Sequence, residues 1–217
     1  MISYIFEHNI DSRVLDRASH LLESGKLICF PSDTSWLIAG DPFQKESIEK
    51  IYSLKSENKF KHFSLLTDGL SLASEIAIIS DAHFRLMKKL TPGHFTFILP
   101  AQKKIMKALA ASRTDKEVGI RIPPSPLIKT IIGHYGKCLI STNVTTHMLG
   151  LEKDAPIYPL IIQENLEHFI KLIIDPTETN FVGSSTIISL MQDTPFILRP
   201  GAGVATGIPM ATFAANS

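Results

Sequence analysis

Cysteine is scarce: 217 residues carry only Cys29 and Cys138. Two thiols with neither metal-ligand spacing nor the spacing of a redox pair exclude a disulfide framework, and their apolar surroundings predict core positions in a reducing compartment. The eight histidines form no HxxxH or HxxEH pattern, and no Cys/His group has ligand spacing, which excludes a zinc site of the usual kind. The phosphate loop Gly-x-x-x-x-Gly-Lys-Ser/Thr is missing as well. Any nucleotide phosphate therefore has to be gripped by side chains at strand ends and by loop amides. No apolar run approaches the roughly 20 residues of a membrane-spanning helix, and the N-terminus lacks the basic, apolar and small-residue succession of a secretory leader. The expected location is cytoplasmic, away from membranes. A net charge of +1 provides no global pull on nucleic acid, so a polyanion site has to come from locally clustered Lys and Arg. Internal repeats, low-complexity tracts and linkers are also absent. That leaves residues 1–217 as one expected domain, for which 44% hydrophobic residues are ample.

What the chain does have is an alternation of short β runs and amphipathic helices, the pattern of an α/β fold. Asp11 or Ser12 can cap a helix that places Val14, Leu15, Ala18, Leu21 and Leu22 on one face and stops at Gly25. Leu27–Phe30 reads as a buried strand. Pro42 suits the first turn of a second helix carrying Ile48, Ile51 and Tyr52, which frays near Leu54 and delivers Lys55 into a charged loop. A helix over Ser80–Leu90, strands over 63–66, Phe95–Leu99 and Val118–Ile122, and a helix opened by Ser125-Pro126 and running through Tyr135 follow in order. Cys138–Ile140 leads out to Ser141-Thr142-Asn143. Residues 145–159 read as a loop able to act as a lid, followed by a helix near Glu164–Ile170 and strands at Leu172–Ile174, Thr186–Leu190 and Phe196–Leu198. Several of these apolar runs end in polar or cationic residues, and in open α/β sheets such side chains converge on one crevice. Lys55, Lys59 and Lys61 fall within seven residues, while Arg121 and Arg199 each close an apolar strand. That set suits a polyphosphate gripped by several cations.

The same residues carry a resemblance. Pro31-Ser32-Asp33-Thr34-Ser35-Trp36-Leu37 resembles the P-T-D-T-x-Y-G-L signature of the YrdC-like family. Lys55 through Phe63 stands in the place of K-x-R-P-x-x-K-P-L, Pro92-Gly93-His94-Phe95-Thr96 in that of P-G-P-x-T, and Val118 through Pro123 in that of v-G-v-R-x-P. Ser141-Thr142-Asn143 resembles S-A-N, Ser184 through Ile188 the late S-T-I/V-V stretch, and Arg199-Pro200-Gly201 the terminal R-x-G. The motifs cover residues 10 to 205, and six of them in order are far more specific than one. His62 through Leu65, Ala82 through Lys88 and Thr91 through Leu99 are most similar to the YciO branch. Departures from the pattern are Glu57, an anion where the family has a phosphate-binding Arg, Glu117 in place of a small hydroxyl residue, and Leu149-Gly150 where a serine is expected.

The resemblance implies a twisted, mixed β-sheet flanked by helices around a large cationic cavity. It also implies L-threonylcarbamoyladenylate synthesis, in which L-threonine, bicarbonate and ATP give threonylcarbamoyl-AMP and pyrophosphate for the t6A modification of tRNA. On this reading Lys55, Lys61, Ser141, Asn143 and Arg199 hold ATP, while Ser32, Thr34, Arg121 and Ser185 hold threonine or its carbamate. Mg2+ enters as the metal of MgATP, bound through phosphate and water, with no protein-built metal site. Arg121 suits a carboxylate because its planar fork pairs both oxygens. Each assignment has a plainer counterpart. Ser32 and Thr34, or Ser141 and Asn143, can simply close turns; the three lysines interleaved with Glu57 can be a solvated charge run; Arg121 can be a surface residue. Trp36 and Phe63 read as core or pocket wall, and Gly201 and Gly203 as backbone hinges rather than phosphate cradles. The competing function is a YciO-like nucleotide-binding or double-stranded-RNA-binding protein with weak or altered catalysis, and Glu57 is the residue that separates the two.

Overall fold

The computed structural model describes residues 1–6, 9–54, 64–109 and 116–211. Its elements, in chain order, are β1 Ile2–Tyr4, α1 Ser12–Glu23, β2 Leu27–Pro31, β3 Trp36–Gly40, α2 Lys45–Leu54, β4 Ser64–Leu66, α3 Leu70–Ile76, α4 Asp81–Leu90, β5 Phe95–Pro100, α5 Lys103–Ala108, β6 Glu117–Arg121, α6 Pro126–Tyr135, β7 Leu139–Asn143, α7 Pro159–Leu166, β8 Ile170–Asp175, β9 Thr186–Ser189 and β10 Phe196–Arg199. A 3₁₀ turn at His147–Leu149 interrupts the stretch read as loop. The ten strands form one mixed sheet in the order β1-β8-β2-β3-β7-β4-β6-β5-β9-β10.

Local signals placed several helices well. Asp11 caps α1 by accepting from the Arg13 N–H, and Ser125 caps α6 by accepting from the Ile128 N–H, with Pro126 in the first turn where no N–H is needed. Other expectations need correction. Pro42 lies outside α2, which starts at Lys45 because Asp41, accepting from the Phe43 N–H, first turns the chain. The helix expected at 164–170 begins instead at Pro159, and Ile170 already opens β8.

Two apolar clusters lie on opposite faces of the sheet, because successive side chains of a strand alternate. Trp36, Ile38, Ile140, Leu65, Ile120, Phe97 and Ile188 belong to the first cluster, which spans the sheet from β8 to β9. The second cluster packs Leu15, Ala18 and Leu22 of α1 and Leu127, Ile128, Ile131 and Ile132 of α6 onto Ile28, Phe30, Leu37, Ala39, Leu66, Leu139, Leu172 and Ile174. That second cluster takes nothing from β6, β5, β9 or β10. Over those four strands the second face carries Thr96, Glu117, Arg121, Ser189 and Arg199 among Ile98, Gly119, Ile187 and Phe196.

Behind the covered half, Asp41 is fully buried and accepts from the Tyr135 hydroxyl at 2.6 Å and the Phe43 N–H at 2.8 Å, with the Lys137 ammonium 3.5 Å away. Burial, then donation to Asp41, push the Tyr135 phenol well above its ordinary pKa, so it stays a donor. Tyr135→Phe leaves a buried carboxylate oxygen short of a partner and should lower stability by about 1–3 kcal/mol. Urea unfolding with an unchanged m-value checks this.

Candidate functional site

The turn between β2 and β3 is built by Ser32. Its N–H donates to the Ser35 carbonyl at 2.8 Å, and its hydroxyl accepts from the Thr34 and Ser35 N–H groups while lying 2.9 Å from the Ser35 carbonyl. The Ser32 hydroxyl thus closes the turn, the plainer of its two sequence readings. The turn in its turn aims Asp33 and Thr34.

Asp33 is the hub. One carboxylate oxygen accepts from Arg121 Nη2 at 2.7 Å, and the other lies 2.7 Å from His94 Nδ1. Arg121 Nη1 donates to the Thr34 hydroxyl at 3.1 Å. The turn and the end of β6 are separated in the sheet order by β7 and β4, so these bonds reach across strand ends that are not neighbours. Further along, the Thr96 and Ser185 hydroxyls are 2.8 Å apart, and Arg199 Nη2 donates to the Ser185 carbonyl at 2.8 Å. The Val182 N–H donates to the Asp33 carbonyl, which ties the segment before β9 to the turn.

Pairing register explains why these side chains share a face. Arg121 pairs with Leu66, itself paired with Leu139, and Thr96 pairs with Ile187, so all lie on the second face. Arg199 joins them through a bulge. The register slips between Ile197 and Arg199 so that Arg199, rather than Leu198, stands opposite Ile187. One extra residue turns a side chain to the other face of a strand. Ser141 stands opposite Ala39 and Ser64, and Asn143 opposite Leu37, on this same face but on β7, with β4 between them and β6. Ser141 is buried and donates to the Ser64 carbonyl at 3.2 Å, while Asn143 is exposed.

Arg121 is only 4% exposed, and among the described residues its Nε has no hydrogen-bond partner. Burial pushes the guanidinium's pKa down, the Asp33 carboxylate opposes this, and Arg199 adds a smaller like-charge push downward. With Arg121 and Arg199 against Asp33, the cluster retains excess positive charge and an unused buried donor. Such a place selects a small anion, above all a carboxylate or phosphate oxygen. Thiol chemistry has no part in it. Cys29 and Cys138 are buried, and burial, with Asp41 second, pushes the Cys138 thiol up to about 12. Among the described residues no three His, Cys, Asp or Glu side chains gather as a metal site, and no helix is long and apolar enough to cross a membrane.

The structure therefore joins Thr34 and Arg121 to the turn of Ser32, joins Ser185 and Arg199 to each other, links the two sets through the Val182–Asp33 backbone bond and the Arg121–Arg199 charge interaction, and sets Ser141 and Asn143 apart on the same face. Lys55, Lys61 and Glu57 lie outside the described residues. Trp36 is core on the opposite face. Sequence reasoning left Asp33 without a role and missed His94 and Thr96. The signal available was His94 itself, an ionisable residue in a motif position where proline is expected.

A family model named for Sua5, YciO and YrdC, and described as Telomere recombination, matches residues 20–201. The uncharacterised protein YciO of Escherichia coli is 29% identical over 92% of this chain and 95% of its own length. The crystal structure of E. coli YciO superposes with a TM-score of 0.81 at 28% identity, covering 95% of this chain and 98% of that one. A Bacillus subtilis protein named threonylcarbamoyl-AMP synthase is 27% identical over 85% of this chain and 52% of its own length. P. abyssi Sua5 in complex with L-threonine shares the fold at a TM-score of 0.76 and 21% identity, covering 93% of this chain and 57% of that one.

Proposed function

This chain belongs to the Sua5/YciO/YrdC family, and from that premise we propose that it is an L-threonylcarbamoyladenylate synthase, joining L-threonine, bicarbonate and ATP into threonylcarbamoyl-AMP and pyrophosphate. The observation that carries the reading is the buried Arg121, with a free Nε, at the centre of a hydroxyl-lined, net-cationic cluster. A planar donor fork in a dry setting suits the threonine carboxylate or its carbamate. Thr34 and Ser185 are the hydroxyl neighbours of that subsite, and Ser32 holds its turn. Arg199, with Ser141 and Asn143 farther along the face, takes the nucleotide, and Lys55 and Lys61 its phosphates. Mg2+ arrives with ATP as MgATP.

The reaction needs no covalent nucleophile. A carbamate oxygen attacks the α-phosphorus, pyrophosphate leaves, and the protein's part is to exclude water and neutralise developing charge. The product would serve t6A modification of tRNA. Purified protein given L-threonine, bicarbonate and MgATP should release pyrophosphate only when threonine is present, measured beside an active synthase. Nucleotide or RNA binding without turnover would instead select the binding-protein alternative.

A further inference from the structure

We propose that His94 is the proton acceptor of this site, taking the proton released when the amino group of the bound amino acid becomes a carbamate; the inference rests on the synthase reading above. Three observations carry it. The Asp33 carboxylate already accepts from Arg121 on its other oxygen, and the matching role for His94 in the 2.7 Å contact is Nδ1–H donating to Asp33. In the neutral ring that tautomer puts the lone pair on Nε2, as in other carboxylate-oriented imidazoles. The His94 side chain is 33% exposed, and among the described residues Nε2 has no partner. The charged groups around it are Asp33 from the turn, in direct contact, and beyond Asp33 the guanidiniums of Arg121 from β6 and Arg199 from β10.

The placement follows from the size of an α-amino acid. With its carboxylate on Arg121, the amine lies two bonds from the carboxylate carbon, and the imidazole is a single bridging carboxylate away from that guanidinium. Asp33 is the weaker base of the two, since each of its oxygens already accepts a hydrogen bond, from Arg121 and from His94. The step balances as ammonium plus bicarbonate giving carbamate, one water and one proton: the N–C bond forms, a C–O bond breaks, and His94 Nε2 takes the proton. No oxidant, reductant or further reactant is required. In the family motif the same position is proline, which has no proton to exchange.

Two measurements on the full-length protein test the assignment. In the first, the imidazole resonances are followed against pH by NMR with and without L-threonine, with His94→Asn identifying the signal. L-threonine should move the midpoint of the His94 titration; an unmoved midpoint overturns the proposal whatever the turnover. In the second, pyrophosphate release is measured against pH. His94→Asn keeps a donor toward Asp33 but has no basic nitrogen to take up a proton, so kcat should fall on the order of 100-fold and the acid limb of the profile should vanish, with KM for threonine little changed. A variant that retains both limb and rate refutes the assignment. If the unaltered protein releases no pyrophosphate while threonine still moves the titration, the synthase reading fails and the placement of His94 beside the amine stands.

Discussion

Arg121→Met is expected to destabilise the protein by about 3–5 kcal/mol, because it keeps most of the side-chain volume but takes away the guanidinium and leaves the buried Asp33 carboxylate with His94 as its one side-chain partner among the described residues. The pairing of a buried ion pair contributes less than its breakage suggests, so the double variant Arg121→Met/Asp33→Asn should recover much of the loss. Urea unfolding of the single and double variants provides the comparison. Equal instability would mean that the guanidinium acts through packing alone. Threonine binding, by contrast, should fall at least 100-fold in both variants, since that factor corresponds to about 3 kcal/mol and falls within the range for removing a charge-assisted contact from a dry site. Stability and affinity therefore separate in the double variant, and calorimetric titration reads the second.

The next largest effect is expected at Gly201→Ala. A Cβ at this position would meet the Ser184 carbonyl at 2.3 Å and the Ser185 carbonyl carbon and oxygen at 2.6 Å. All three are backbone atoms, which cannot rotate away as a flexible side chain can. The Ala202 N–H also donates to the Ser184 carbonyl, and Arg199 holds the Ser185 carbonyl, so the two segments are cross-tied where the methyl would intrude. The expected loss is about 1–3 kcal/mol of stability, the usual range for overpacking. A further consequence is at least a tenfold drop in affinity for nucleotide or threonine, because Ser185 and Arg199 shift together. A Gly201→Ala protein with unaltered thermal stability and binding would show that the segments part freely. The glycine is thus required by close approach, where the sequence suggested a hinge.

How much of this was legible depended on how local each cause is. The α6 start was readable because Ser125 and Pro126 satisfy one turn's worth of backbone by themselves. β3 was not identified as a strand, since Trp36–Gly40 is a short, wholly buried run without alternation that follows directly on a tight turn. The six-residue α5 offered too few turns for a period. At the site, the motif residues Thr34, Arg121, Ser185 and Arg199 were identifiable as chemistry, but their geometry was not. Asp33 meets partners 61 and 88 residues away, at distances in the chain that no spacing rule reaches. The Ile197/Arg199 bulge was equally hidden, because it depends on pairing with β9 and not on the residues of β10 alone.

The one-sided cover of the sheet has a thermodynamic corollary. Among the described residues, strands β6, β5, β9 and β10 have a buried apolar cluster on one face only, whereas their neighbours are sandwiched between two. A molecule seated against Arg121 and Arg199 would act as the absent outer wall of that flank, and its binding free energy would be inseparable from the folding free energy of those four strands.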